Sequence, residues 1–203
     1  MTAETIPVPE PLTEPETAPE VSPKAEPRPL RELLPTGTPL ILTAATAFVL
    51  FVACFIEFGL HGRALVGAVL CPALVFLAAI DWKHKLLPNA IVLPATLAIG
   101  LIVAAAAPGS FLTHLAYAAG LGGFFFLFGI IFAGSLGMGD AKLGFLLGLA
   151  LGSKTIGAAL ISFAGLLVAA LYVLATRGTS ARKDAIPFGP FLALGGIVAY
   201  FLS

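Results

Sequence analysis

Two aspartates lie at the ends of long apolar segments in this sequence, and their chemistry needs an explanation. Asp81 ends one apolar segment, and Asp140 opens another within the stretch Gly137-Met138-Gly139-Asp140. A charged group at membrane depth costs roughly 2.5–3.5 kcal/mol on insertion scales, so such a group is a candidate functional residue. The two aspartates therefore predict paired-carboxylate chemistry.

Paired carboxyl groups can hydrolyse a peptide bond without a metal, a cofactor or a covalent intermediate. Two carboxyl groups that share a site cannot both ionise easily, so one keeps its proton. The ionised group acts as general base on water, and the protonated group polarises the carbonyl and protonates the leaving nitrogen. Gly137 and Gly139 allow the backbone beside Asp140 to approach a substrate strand or to adopt positive φ. The alternative is that each aspartate only caps a helix end.

The composition is that of a membrane protein. Hydrophobic residues make up 59% of the 203 residues, charged residues make up 11%, and the mean hydropathy is +1.02. Soluble domains carry about 25% charged residues. A nucleic-acid partner is not expected, because no long basic stripe occurs. Cys54 and Cys71 form no C-x-x-C pair, so we interpret them as small buried hydrophobic residues, with a disulfide between them as the open alternative.

The first 38 residues differ in composition from the rest of the chain. The first 35 contain seven glutamates and nine prolines. Such a segment cannot bury enough apolar surface to become ordered, and its prolines prevent a continuous helix. We therefore expect a disordered cytoplasmic tail over residues 1–38 and a membrane-embedded domain over residues 39–203. The tail is either a plain solvated extension or a docking segment.

The remaining sequence predicts an all-α, polytopic membrane helix bundle of about seven spans. About 20 residues cross a hydrocarbon core of about 30 Å. The apolar segments that meet or approach this length are 39–58, 64–81, 90–107, 112–133, 140–152, 155–175 and 186–203. The fifth is short. Its Gly144, Gly148 and Gly152 follow one another at intervals of four residues, which permits close approach of a neighbouring helix.

Basic residues predict the orientation of the bundle. If the first span starts inside, the inner loops contain Lys83, Lys85, Arg177, Arg182 and Lys183, and the outer loops contain Arg63 and Lys154. The positive-inside rule then places the N-terminus in the cytoplasm. The same arrangement places Asp81 and Asp140 at the cytoplasmic face, although neither was used in the count.

Other polar residues near the aspartates have two interpretations each. Lys142 either holds the ionised carboxylate or a substrate carbonyl, or extends to the lipid head groups. Asn89 either forms a hydrogen bond within the turn at Pro88 or contacts substrate. Residues 187–190 fix the entry of the last helix, with a role in shaping a cleft as the alternative.

Three sequence blocks together resemble the type IV prepilin peptidases, which belong to the GxGD class of membrane aspartic peptidases. The first block is Asp81 followed by Leu-Leu-Pro-Asn at 86–89; the second is Gly-Met-Gly-Asp-Ala-Lys-Leu at 137–143; the third is Ile-Pro-Phe-Gly-Pro-Phe-Leu-Ala at 186–193. The resemblance covers roughly residues 60–203. It implies that Asp81 and Asp140 are the catalytic aspartates. It also implies supporting or substrate-binding roles for Gly137, Gly139, Lys142, Pro88 and Asn89.

The resemblance further implies a substrate and a location. Such enzymes remove the short basic leader of prepilins or pseudopilins, often after a glycine, at the cytoplasmic face of the bacterial inner membrane. Long members carry a cytoplasmic domain with cysteine pairs between their first spans, which is associated with N-methylation. Only residues 59–63 separate the first two spans here, so we expect a short form without methyltransferase activity. The alternative function is a non-catalytic scaffold, or a proton- or ion-coupled transporter with the aspartates as relay.

Overall fold

The computed structural model describes residues 29–131, 137–177 and 186–202, and the regular secondary structure within these ranges is entirely helical. The eight α-helices are α1 (Leu30–Leu33), α2 (Thr38–Phe58), α3 (Gly62–His84), α4 (Asn89–Ala106), α5 (Phe111–Ile131), α6 (Met138–Leu151), α7 (Thr155–Arg177) and α8 (Gly189–Phe201). Short 3-10 turns at Pro108–Ser110 and Gly152–Lys154 precede α5 and α7. The predicted all-α class is therefore confirmed.

The apolar helices have the lengths of membrane spans, with two exceptions. Five segments are long and apolar enough to cross a membrane, and one of them, Met138–Thr176, comprises α6, the turn after it and α7. Helix α6 alone has 14 residues and α8 has 13, which is about 20 Å each. Both are therefore short. Helix α8 begins at Gly189, later than expected, because Phe188 is its N-cap and a proline occupies its first turn.

Helices α3 and α6 form the interior of the bundle. In the most apolar window of α3, 56% of the residues are buried, whereas the figure for α2 is 17%. Nine residues of α6, from Ala141 to Leu151, are buried. The exposed leucine and phenylalanine side chains of α2 face outwards, where the lipid of a bilayer would contact them. Close van der Waals packing, rather than the hydrophobic effect, must hold such helices together in lipid.

Helix α6 packs on α5 through its glycines, as the four-residue spacing predicted. A Cβ atom at Gly148 would lie 2.5 Å from the Ala118 nitrogen, and one at Gly144 would lie 2.6 Å from a ring carbon of Phe125. A Cβ atom at Gly152, just after α6, would lie 2.9 Å from a ring carbon of His114 near the start of α5. The two backbones therefore approach each other more closely than any larger residue would allow.

The two ends of the bundle are defined by contacts between α3 and α8. At one end the Gly189 N–H donates a hydrogen bond to the Asp81 carboxylate. At the other end the Tyr200 hydroxyl donates a hydrogen bond to the Arg63 carbonyl. Asp81 follows Arg63 by 18 residues along α3, which corresponds to about 27 Å. This distance approaches the thickness of the hydrocarbon core, so the two ends lie near the two membrane faces.

The predicted tail falls mostly outside the described residues. Its last part, from residue 29, is described: α1 is a single helical turn, and Leu33 is buried on the protein. The two cysteines behave as predicted for small buried hydrophobic residues. Cys54 and Cys71 are free thiols in the packed contact between α2 and α3, with 3.9 Å between their sulfur atoms.

The α5–α6 contact generates a prediction. Gly148→Ala should destabilise the protein by about 1–3 kcal/mol, because the new methyl group overlaps the Ala118 backbone and overpacks the contact. The matched control is Gly123→Ala on α5, where a Cβ atom meets nothing within 4 Å. The measurement is thermal unfolding in detergent. Equal unfolding temperatures for the two variants would contradict the close contact.

Candidate active site

A cavity of about 470 Å³ lies at one end of the bundle, between the α3–α4 connection, the start of α6 and the residues before α8. Its lining residues are Asp81, Lys85, Leu86, Leu87, Asn89, Gly137, Met138, Gly139, Asp140, Lys142, Ile186, Pro187 and Phe188. The structure therefore brings together the two predicted aspartates and four of their five predicted supporting residues. The fifth, Pro88, is the N-cap of α4 and does not line the cavity.

Asp81 is held in the last turn of α3. Its side chain is only 6% exposed, and its Oδ2 accepts a hydrogen bond of 3.0 Å from the Gly189 N–H. Helix α3 ends at His84, and its C-cap Lys85 adopts the left-handed conformation with φ 51°. The Lys85 N–H donates to the Asp81 carbonyl at 2.8 Å. A buried carboxylate therefore has a fixed donor and a defined position.

An aromatic cluster fixes the donor that Asp81 needs. Phe188, which directly precedes Gly189, packs between Phe125 of α5 and Phe163 of α7, with ring centroids 5.5 Å away from each. The contact with α5 is edge-to-face and the contact with α7 is stacked, and both are favourable aromatic geometries. The start of α8 is thereby tied to two other helices.

Asp140 is the third residue of α6 and caps that helix. Its Oδ2 accepts a hydrogen bond of 3.1 Å from the Gly137 N–H, and the Asp140 N–H donates to the Gly137 carbonyl at 3.0 Å. A carboxylate in this position is also favoured by the positive end of the helix dipole. The cap and the catalytic interpretation do not exclude each other, because the half-buried Asp140 also lines the cavity.

Of the two alternatives for the glycines beside Asp140, close approach to a substrate strand stays a prediction, and the structure contradicts only positive φ. Positive φ is wrong for both, since Gly137 has φ −77° and Gly139 is absent from the positive-φ residues of the described chain. A Cβ atom at Gly139 would lie 2.8 Å from the Cβ of Leu87. Gly139 therefore lets the first turn of α6 pack directly against the connection that follows Asp81.

Lys142 and Asn89 contact each other. The Lys142 Nζ donates a hydrogen bond of 2.8 Å to the Asn89 Oδ1 and so links the N-terminal part of α6 to the first residue of α4. The prediction that Asn89 bonds within its own turn is wrong for this side chain. In that turn the Pro88 carbonyl instead accepts the N–H groups of Ile91 and Val92, at 3.1 and 3.2 Å.

This arrangement suits acid–base chemistry by two carboxyl groups. Each aspartate uses its Oδ2 for one backbone N–H, and within the described residues no hydrogen bond reaches either Oδ1. Both carboxyl groups thus keep an oxygen for water or substrate in one shared cavity. Over the same described ranges, no cluster of three or more histidine, cysteine, aspartate or glutamate side chains could hold a metal ion.

The sequence placed Gly189 only within residues 187–190, which fix the entry of α8 or shape a cleft, and did not predict it as a hydrogen-bond donor to Asp81. Its N–H belongs to the first turn of α8, and the first N–H groups of a helix have no partner within the helix. Pro190 marks that start in the sequence. The sequence therefore showed that a helix starts near Gly189 and offers free N–H groups. That these groups face Asp81 could be seen only from the fold.

Comparisons with known proteins give this site a family. The sequence model of the type IV leader peptidase family matches residues 68–174, more than half of the chain, and the matched range includes Asp81 and Asp140. The chain belongs to the type IV leader peptidase family. No solved structure matches it.

Curated relatives of this family member are longer than the chain. The prepilin leader peptidase/N-methyltransferase of Burkholderia pseudomallei (strain 1026b) is 36% identical over 155 residues, which cover 72% of the chain and 49% of that protein. The protein of the same name from Bacillus subtilis (strain 168) is 36% identical over 158 residues, which cover 74% of the chain and 61% of that protein. The chain therefore spans about half to three fifths of these relatives.

The contact between Gly189 and Asp81 can be tested by substitution. In Gly189→Ala, the added Cβ atom would lie 2.6 Å from the Asp81 Oδ2, so the carboxylate or the helix start must move. We expect a loss of about 1–3 kcal/mol in the free energy of unfolding. Gly157→Ala is the control, because nothing lies within 4 Å of a Cβ atom there. Unfolding of both variants at the wild-type temperature in detergent would rule out this contact.

Proposed function

We propose that this leader peptidase family member is a membrane aspartic endopeptidase that removes the leader of type IV prepilins or pseudopilins. The observation that carries the proposal is the shared cavity, which Asp81 and Asp140 enter from two different helices. The family assignment supports the same chemistry. Asp81 and Asp140 are its catalytic residues, and no cofactor takes part in the proposed reaction.

The two carboxyl groups act as a pair that shares one proton. Backbone N–H groups at the starts of α6 and α8 stabilise negative charge on the pair, one at each aspartate. The ionised carboxylate removes a proton from water, which attacks the peptide carbonyl. The protonated carboxyl group polarises that carbonyl and then protonates the departing nitrogen. We treat ionisation as a property of the pair rather than of either residue.

The proposed location is the cytoplasmic side of the bacterial inner membrane, with the N-terminus in the cytoplasm. Support comes from the basic residues predicted on that side of the membrane. The cavity lies at the end of the bundle, so a substrate can present its leader junction there while its hydrophobic helix stays in lipid. Lys85 and Lys142 line the cavity and repel basic groups. The basic part of a leader therefore extends away from them, towards anionic head groups.

The position of the aspartates disfavours the transporter alternative. Transporters bind their ions near the membrane midplane, usually between inverted repeats. Asp81 instead lies in the last turn of α3, and Asp140 lies in the first turn of α6. A scaffold would not need either carboxylate, so substitution of these residues separates it from an enzyme.

The catalytic assignment predicts loss of cleavage in Asp81→Asn and in Asp140→Asn. Each variant keeps the side-chain shape but removes a general acid or base, which contributes about 10²–10⁴-fold to the rate. The assay follows the mobility shift of a prepilin substrate in proteoliposomes. Glu57→Gln, an exposed acid at the other end of the bundle, is the control and should cleave normally. Cleavage at the wild-type rate by either aspartate variant would refute the assignment of Asp81 and Asp140 as the catalytic pair.

We also propose that this chain does not methylate its product. Only residues 59–61 connect α2 and α3, so no cysteine-rich domain is inserted there. Mass spectrometry of the mature pilin, made with S-adenosylmethionine present, should find a free N-terminal amine. The Bacillus subtilis protein, whose name includes N-methyltransferase, serves as positive control. A methylated product from the present chain would overturn this part of the proposal.

A further inference from the structure

The hydrogen bond between Lys142 and Asn89 fixes the orientation of the Asn89 amide. The Lys142 ammonium has only donors, so the Asn89 atom at 2.8 Å from its nitrogen must be the amide oxygen. An amide without such a partner could turn by half a rotation and exchange the places of its oxygen and nitrogen. The Nδ2 group therefore lies on the side of the amide away from Lys142.

The Nδ2 group of Asn89 is available to a ligand. Within the ranges that the structure describes, the bond to Lys142 is the only hydrogen bond of this side chain, so Nδ2 keeps two donors. Asn89 is exposed, and it lines the cavity together with Asp81 and Asp140. The cavity therefore contains an uncharged donor group in addition to the two carboxyl groups.

Two contacts with the first turns of α6 set the position of Asn89 relative to Asp140. One is the bond from Lys142, which ties the first residue of α4 to α6. The other is made by Leu87, two residues before Asn89, whose Cβ would lie 2.8 Å from a Cβ atom at Gly139. The residues of α6 that make these contacts flank Asp140 in the sequence. The same part of α6 thus holds both the amide and the carboxyl group.

An uncharged donor at this place suits a peptide carbonyl. Every residue of a peptide offers one carbonyl oxygen, whatever its side chain. A cation in contact with the carboxyl groups would favour ionisation of both, which opposes the sharing of one proton. The Asn89 amide can bind a peptide without adding charge there, since the Lys142 ammonium contacts the amide oxygen.

We propose that the Asn89 amide donates a hydrogen bond to a backbone carbonyl of the substrate beside the scissile bond, and that Lys142 positions this amide. This role rests on the proposed peptidase function and adds to it a group that holds the peptide. Asn89 contacts the substrate, whereas Lys142 acts through Asn89. The bond is present in the bound substrate and in the transition state alike, so it lowers KM and leaves kcat nearly unchanged.

Two substitutions of Asn89 test its donors. Asn89→Asp keeps an oxygen for Lys142 but removes the N–H donors, and Asn89→Leu, of similar shape, removes both without adding charge. Each should raise KM for a prepilin in proteoliposomes about three- to ten-fold, the contribution of one neutral hydrogen bond, at nearly unchanged kcat. A rise in Asn89→Leu excludes added charge as its cause. Asn89→Asp should unfold at the wild-type temperature in detergent, because the contact with Lys142 remains.

Substitutions of Lys142 test its positioning role. Lys142→Arg keeps a donor for the Asn89 oxygen and should keep the wild-type KM. Lys142→Met leaves the amide free to turn, so its donors face the substrate in about half of the molecules and KM should rise about two-fold. In an Asn89→Leu background, Lys142→Met should change KM no further. Lys83→Met is the control, because this exposed lysine does not line the cavity.

Single ester bonds in the substrate locate the acceptor. An ester carbonyl accepts a hydrogen bond more weakly than an amide carbonyl does. In a series of substrates with one ester each around the cleavage site, one ester should raise KM for the wild type and leave KM for Asn89→Leu unchanged.

Three results would overturn the inference. The first is the wild-type KM in Asn89→Leu, and the second is a fall of kcat at unchanged KM in that variant. The third is an ester series without any position that couples to Asn89, including coupling to an acidic substrate side chain in its place. Failure of the peptidase function shows differently: the wild type itself then cleaves no prepilin, and the role of Asn89 falls with it.

Discussion

A carboxylate at the end of an apolar bundle is stable only where hydrogen-bond donors are already in place, and this constraint organises the structure. Both aspartates obtain their donor from the backbone at the start of a helix: Asp140 from Gly137 beside its own helix, Asp81 from Gly189 far along the chain. Backbone donors need no side-chain ordering and bring no competing charge. Among the described residues, the site therefore keeps two acidic groups in one cavity with backbone donors in place of an ion pair.

The second donor depends on packing that lies outside the cavity. Gly189 reaches Asp81 because Phe188 is held between Phe125 and Phe163. Phe125 in turn contacts Gly144 of α6, the helix that carries the other aspartate. One aromatic cluster therefore connects the supports of both carboxyl groups, and this explains why a phenylalanine in the middle of α5 is almost fully buried while its two neighbours are exposed.

Much of the fold and part of the site followed from the sequence, because lipid imposes simple rules. Apolar length predicted the helices, and glycine spacing on α6 predicted its close packing. Placing Asp81 and Asp140 at one end required only a count of spans. The Gly189 donor and the bond between Lys142 and Asn89 were not predictable, since each joins segments far apart in the chain and depends on how helices pack. The contact of Gly139 with Leu87 was missed for the same reason.

The glycine face of α6 also fixes the position of one half of the site. At Gly148 the nearest atoms of α5 are backbone atoms of Ala118 and Tyr117, so the register of α6 along α5 is set there by the backbone. The position of Asp140 relative to α5 is therefore fixed by the packing of α6. Asp81 is held in turn by the Gly189 N–H of α8, so the gap between the two carboxyl groups is set by how α3, α6 and α8 pack.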